Sequence, residues 1–360
     1  MPRKVMAVRR PGAVSGLFRC ARRLHRGAAV HRSILAAGIL CLAAACSKSP
    51  TAPSADAARS LLGQAVNALD GAPAPGLTVQ ANRTTVTTDG EGHFTVEVRA
   101  QGAHDVTIRG GAIVERQTTM FGPTADRARV SLIPAGFDLA AFDEMFRTSN
   151  ARLQRWTSRP SLVVLGSVMR YRSGNLTEYE ATEEQMSDEE VSLMIEHLTE
   201  GLALLTGGTY TTFASVTVER PSGGSRTSVT RDGQVVVGRY NGIVSLANTI
   251  GYGQWAELPN GTITAGALFL DREFDRSDAR RRLLRIHELG HALGYQHVRS
   301  RTSIMNPSIG PAPTDFDRAG AIIAFQRPPG NRSPDIDPRT GSPASVSTGG
   351  GQWMPPVFCR

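Results

Sequence analysis

Cysteine is scarce in this chain: Cys20, Cys41, Cys46 and Cys359 are the only four in 360 residues. The first two sit in an N-terminal segment that reads as a secretion signal and Cys46 stands at its end, so Cys359 is left alone in the body of the chain and an intramolecular disulfide framework is excluded. Lysine is nearly absent too, with only Lys4 and Lys48. Almost every positive charge is arginine, as a GC-rich genome would produce without any arginine-specific task. No apolar run is long enough to cross a bilayer as a helix, because the stretch from Ser33 to Ala45 covers only 13 residues. An excess of charge is missing as well once the termini are separated. The formal net charge of +8 and pI near 9.8 point at first to nucleic acid or anionic surfaces. Nine Lys and Arg and no acid precede Cys46, leaving 31 basic against 32 acidic residues beyond it. The body of the chain is therefore near neutral, and a nucleic-acid partner is not expected.

The apolar stretch after the basic N-terminus has the length and flanks of a signal h-region. It runs through small residues into Cys46 and resembles a bacterial lipobox, with the usual leucine displaced by one position to Leu42. This implies acylation of Cys46 and attachment to a membrane. Ser47 after the cysteine, in place of aspartate, resembles lipoproteins sent to the outer membrane. The alternative is an ordinary signal peptide cleaved after Ala-x-Ala, with Cys46 unmodified and the product periplasmic or secreted. The segment before His31 is long for a signal, and a start at Val30 would give a more usual one.

The chemistry is concentrated in His287-Glu288-Leu289-Gly290-His291-Ala292-Leu293-Gly294-Tyr295-Gln296-His297. At about 3.6 residues per turn, His287 and His291 share one helix face and can reach one metal ion. Glu288 lies roughly 100° round, where a carboxylate can take a proton from a water that the metal activates. Gly294 can adopt the left-handed conformation that ends a helix and turns the chain back, delivering His297 as a third ligand. Three histidines leave one tetrahedral position open, which marks a catalytic zinc site rather than a structural one. A bare His-Glu-x-x-His arises by chance on surface helices. The glycine and third histidine at fixed spacing make chance a poor account.

Ser303-Ile304-Met305-Asn306-Pro307 follows, with Met305 eight residues after His297, and the whole run resembles the metzincin pattern, in which a methionine turn lies beneath the metal. Within metzincins it is similar to the matrixin branch, by the interval from His297 to Met305 and by the Met-x-Pro of Met305 to Pro307. The tyrosine that astacins and serralysins place two residues after the methionine is replaced by Pro307, so a fifth protein ligand is not expected. Val298 stands where adamalysins carry aspartate. Two matrixin features are missing. No Pro-Arg-Cys-Gly cysteine switch lies upstream, which puts latency by thiolate ligation in doubt, and no His-rich stretch offers a second zinc site. The resemblance implies one catalytic Zn2+, protein or peptide substrates and Met305 as support, and it leaves room for a structural Ca2+ that no motif shows.

Along the rest of the chain, Ser47 to Ala58 reads as a tether, followed by a short helix through Leu61, Leu62, Val66 and Leu69 up to residue 75. Alternating runs from 76 to 135, such as Phe94-Thr95-Val96-Glu97-Val98, predict a small β-sandwich, whose Thr88–Phe94 turn resembles carboxypeptidase-regulatory-like modules. His93 and His104 read as solvated loop residues. Phe137–Trp156 reads as a helical connector within 136–160, and the peptidase domain is expected over 161–330. In it Ser187-Asp188-Glu189-Glu190 is a capping box, and its helix, which stops at Gly207-Gly208, carries His197 in packing or solvent rather than on zinc. A zinc helix is expected from Ser277 to Leu293 and a closing helix from Asp315 to Phe325. The edge strand that binds substrate by strand addition is placed at Ile243–Thr249. The tail 331–360, rich in Gly, Ser and Pro, reads as disordered.

The expected architecture is α/β (α+β): a metzincin-like domain with a twisted mixed sheet and zinc helix, preceded by the all-β module. The expected activity is that of an exported zinc endopeptidase acting as a monomer. The rival is a surface-binding lipoprotein with a vestigial peptidase domain, against which the intact His287, Glu288, His291 and His297 argue.

Overall fold

The computed structural model describes residues 59–124, 126–147, 149–172, 177–245, 248–339 and 351–360. The signal segment, Cys46 and the tether through Ala58 lie outside the described residues. Among the described residues no helix is long and apolar enough to cross a membrane.

Seven strands form the N-terminal module: β1 (Arg59–Asn67), β2 (Thr78–Ala81), β3 (Thr84–Thr87), β4 (His93–Val98), β5 (Gly102–Arg109), β6 (Arg116–Gly122) and β7 (Ala128–Leu132). They make two sheets, β4-β1-β7 and β3-β2-β5-β6. Strict alternation drives this. In β4 Phe94, Val96 and Val98 point inward while Thr95 and Glu97 are exposed, and the inward residues join Leu61, Val79, Ile108 and Leu132 in one core. The expected helix through Leu61–Leu69 is instead β1. Leu61 and Ala65 bury at period two, and the Phe94 ring covers Gly63 so closely that a Cβ there would lie 2.1 Å from it. Pairing with β4 and β7 outweighs the apolar spacing that suggested a helix. His93 and His104 lie on strands rather than in loops, and His104 is buried, with ring nitrogens bonded to Asn82 and the Ala100 carbonyl.

The connector holds α1 (Leu139–Phe146) and a 3-10 turn at Ser149–Ala151 rather than one continuous helix. The larger domain then follows with β8 (Ser161–Arg170), β9 (Glu178–Gln185), α2 (Asp188–Leu205), β10 (Val216–Glu219), β11 (Arg226–Ser228), β12 (Gln234–Asn241), β13 (Gly251–Glu257), β14 (Ile263–Asp271), α3 (Arg272–Ser277), α4 (Arg281–Ala292), α5 (Asp315–Phe325), β15 (Gln352–Trp353) and β16 (Val357–Cys359). The sheet runs β11-β9-β8-β12-β14-β13-β15, with β10 on β8 and β16 on β13. β8, β12 and β14 are parallel, and β13 is antiparallel to β14. The strand beside α4 is thus β13. The expected edge strand at Ile243–Thr249 is corrected, because Ile243–Ser245 is a 3-10 turn.

The capping box forms as expected: Ser187 N donates to Glu190 Oε2 at 2.8 Å and Glu190 N to Ser187 Oγ at 3.2 Å. The helix ends before Gly207 and Gly208, both at positive φ. The expected zinc helix from Ser277 is broken: α3 stops at Ser277, and α4 starts at Arg281 after Asp278 takes the C-cap. The broken corner is held by charge. Buried Asp275 accepts from Arg285 Nε at 2.7 Å and Arg239 Nε at 2.6 Å, and Arg239 also reaches Glu190 on α2.

The expectation of a disordered tail also fails for the described parts of it. Asp335 is fully buried and accepts from Arg327 and Arg116, each at 2.8 Å, while Arg327 donates to Ser131 of β7. This charged knot ties the end of α5 to the β module, and the described residues from Arg59 onward lie in one compact unit. Residues 351–360 add β15 and β16 to the sheet.

Candidate metal centre

The last turns of α4 present His287, Glu288 and His291, all fully buried. Gly294, at φ +98°, closes α4 in a Schellman arrangement: Tyr295 N donates to the Gly290 carbonyl and Gly294 N to the His291 carbonyl, each at 2.9 Å. Shape demands glycine here as well, since a Cβ at 294 would lie 2.7 Å from Ile263. The returning chain is pinned by Gln296 N to the Met145 carbonyl and by the Tyr295 hydroxyl to the Leu205 carbonyl, and it brings His297 back toward the helix.

The three rings are oriented from behind. His287 Nδ1 donates to the Ile304 carbonyl at 2.6 Å and His291 Nδ1 to the Tyr295 carbonyl at 2.7 Å, so on both rings Nε2 carries the free lone pair. His287 Nε2 lies 3.0 Å from His291 Nε2 and 3.3 Å from His297 Nε2. Burial holds the His287 imidazolium down to about 3 and that of His297 to about 4, with neighbouring charge adding to the effect, so both are neutral at pH 7. Neutral nitrogens converging this closely suit a shared cation. Tetrahedral zinc with bonds of about 2.0–2.1 Å to nitrogen needs nitrogen separations of about 3.3 Å, which these residues offer.

A fourth donor that the motif does not contain completes the group. Cys359 Sγ lies 2.9, 3.6 and 3.5 Å from Nε2 of His287, His291 and His297. All four ligand atoms fall within 4.8 Å of one another. The only hint in the sequence was that Cys359 is the one cysteine beyond the signal. Nothing local says where a penultimate residue will dock.

Glu288 lies in the same pocket and does not join the ligand set. Both carboxylate oxygens are buried, with no partner at hydrogen-bond geometry and the Cys359 thiol beside them. Burial raises its pKa well above the usual carboxylate range, against the Cys359 thiol beside it. The thiol is itself pushed up by burial and by Glu288. Its carboxyl stands beside the three histidines, within reach of a water held between them.

Met305 lies under α4, where a Cβ added at Gly290 would come within 2.6 Å of its sulfur. Its turn is fastened by Asp317 of α5, which accepts from Ser303 Oγ at 2.5 Å and Ile304 N at 3.1 Å. Because Ile304 also receives His287 Nδ1, Asp317 fixes a histidine through one intervening residue. Pro307 follows half-buried, and Ile309 is buried beyond it. Asp317 was missed in the sequence, although Thr314-x-x-Asp317 is a capping box like the one at Ser187. His197 stays outside the site, with Nδ1 3.2 Å from Arg285.

Residues 183–329 match the family model described as Matrixin. No curated protein matches the chain. The matched stretch starts at the end of β9, contains α4, the His297 loop and the Met305 turn, and ends after α5. A match to that family implies zinc, which the donor set suits, and action on peptide bonds. The chain thus carries a matrixin-like metzincin domain, a zinc metallopeptidase by family, built on a mixed sheet and joined to an all-β module.

Proposed function

We propose that the protein is an exported zinc endopeptidase in which His287, His291 and His297 hold the metal and Glu288 is the general base. The observation that carries this is the convergence of three neutral Nε2 atoms beside an unpartnered, fully buried glutamate. Zinc held there supplies a Lewis acid that polarises the scissile carbonyl and acidifies water. Glu288 takes the proton of the attacking water and later passes it to the leaving amine. The carbonyls of Ile304 and Tyr295 keep the His287 and His291 rings aimed, and Met305 fills the space below the helix.

Substrate is expected to add as a strand on β13, whose outer edge runs past Glu288. Pro307 and buried Ile309 give the wall beyond the metal an apolar character, which favours Leu, Met or Phe just after the cut. Cleavage at Cys46 and acylation there would place the domain on the outer membrane, reached by extracytoplasmic proteins, with the tether as spacer. The test is digestion of a peptide library by the zinc-loaded protein with and without the tail beyond residue 339. A cleavage profile dominated by charged residues after the cut would count against the pocket, and no cleavage in either form would overturn the activity.

A further inference from the structure

The C-terminal residues occupy the place where a substrate strand would lie. β16 pairs antiparallel with β13, register Gly251 to Cys359, Tyr252 to Phe358 and Gly253 to Val357, and Ile250 N donates to the Cys359 carbonyl at 3.0 Å. Upstream, β15 pairs Trp353 with Ala256, and Met354 N donates to the Trp255 carbonyl at 2.8 Å. Pro355 and Pro356 bridge the two short strands, and Phe358 faces outward, 43% exposed. This addition to the sheet edge puts Cys359 Sγ within 3.6 Å of all three histidine nitrogens and beside the unpartnered Glu288 carboxyl. Tetrahedral zinc bound at about 2.3 Å to sulfur and 2.0–2.1 Å to nitrogen needs sulfur-to-nitrogen separations of about 3.6 Å, close to two of the three found.

We propose that the C-terminal tail is a built-in inhibitor: it adds to β13 as a pseudosubstrate strand and its Cys359 thiolate fills the fourth metal position, closing the site until the tail is displaced or cut away. This rests on the zinc-peptidase reading above. Coordination forms one sulfur–metal bond, with the thiol proton released to solvent and no oxidant or reductant involved. The arrangement also answers the absence of a cysteine switch upstream, since the same chemistry arrives from the other end of the chain. Trp353, Met354, Val357 and Cys359 pack on the cores beneath the sheet edge, and Phe358 lies against Tyr252. The backbone pairing is two short strands on one sheet edge, so competition by a strand-forming substrate or removal of the last residues by another peptidase opens the site.

The test compares the full chain with Cys359→Ala and with a chain ending at Thr340, each loaded with zinc and, separately, with cobalt in its place. The expected result is a thiolate-to-cobalt charge-transfer band in the near ultraviolet for the full chain only, with about one metal per chain in all three. Hydrolysis of a peptide library should rise roughly tenfold or more in both variants, because a tethered ligand acts at an effective concentration in the millimolar range. Two results would overturn the proposal. A full chain without the band that already cleaves peptides as fast as Cys359→Ala removes the inhibitor and leaves the peptidase standing. A full chain with the band, but with no cleavage by either variant, makes the four residues a closed structural site and removes the peptidase reading with it.

Discussion

Gly253 of β13 stands directly against His291 of α4: a Cβ at residue 253 would lie 2.6 Å from the His291 Cβ and 2.5 Å from the Glu288 carbonyl oxygen. Gly251, on the same face of the strand, leaves room for the Glu288 carboxylate, which a Cβ there would meet at 2.8 Å. Two glycines at period two thus let α4 lie flat on the strand that carries the tail.

The contrast with Gly290 gives the first prediction. A methyl at 253 meets backbone and a Cβ, neither of which can rotate away, whereas one at 290 meets the end of the Met305 side chain. Gly253→Ala should cost about 1–3 kcal/mol of stability and weaken zinc binding, and Gly290→Ala should cost less. Chemical denaturation and metal titration of the two variants decide it, and equal costs would refute the packing argument.

Substitutions at the site should separate base from ligand. In a Cys359→Ala background, Glu288→Ala is expected to keep its zinc and lose about 10²–10⁴-fold in hydrolysis. His297→Ala should lose metal affinity instead. Metal analysis alongside peptide cleavage reads both, and an active Glu288→Ala would exclude the glutamate as base.

The charged knot under α5 gives a stability prediction with a sign. Burial works against the Asp335 carboxylate, but Arg327 and Arg116 outweigh it and hold its pKa below the ordinary value. A carboxylate with a lowered folded-state pKa contributes stability that is fully present above the unfolded value of about 3.9 and is lost as pH falls through the folded one. Asp335→Ala, which strands the buried Arg327 guanidinium and leaves Arg116 with Asp337 alone, should cost about 3–5 kcal/mol at pH 7. That deficit should shrink below pH 4, as measured by denaturant unfolding across the range.

Acylation at Cys46 predicts membrane attachment that Cys46→Ser releases, since each buried methylene contributes about 0.8 kcal/mol. Detergent fractionation with metabolic lipid labelling tests it. Wild-type protein that is soluble and unlabelled would leave the ordinary signal peptide.

Local rules were enough for much of this protein. The capping box at Ser187, the helix stop at Gly207-Gly208, the alternation of Phe94, Val96 and Val98, and the spacing of His287, His291, Gly294 and His297 all act within one or two turns of chain, and each formed as its residues dictate. β1 escaped detection because Leu61, Leu62, Val66 and Leu69 satisfy helical spacing, and only the neighbouring strands β4 and β7 make the extended form the better one.

What the sequence alone determined is the cluster of His287, His291 and His297, because all three stand on one helix and the turn that follows it. What only the tertiary structure decided is everything that reaches it from afar: Asp317 fastening the Met305 turn, Gly251 and Gly253 admitting the helix, and Cys359 arriving 62 residues after His297. Contacts across such separations leave no periodic trace in the chain. They depend on which sheet edge remains unpaired, and that edge exists only once β13 has docked antiparallel on β14.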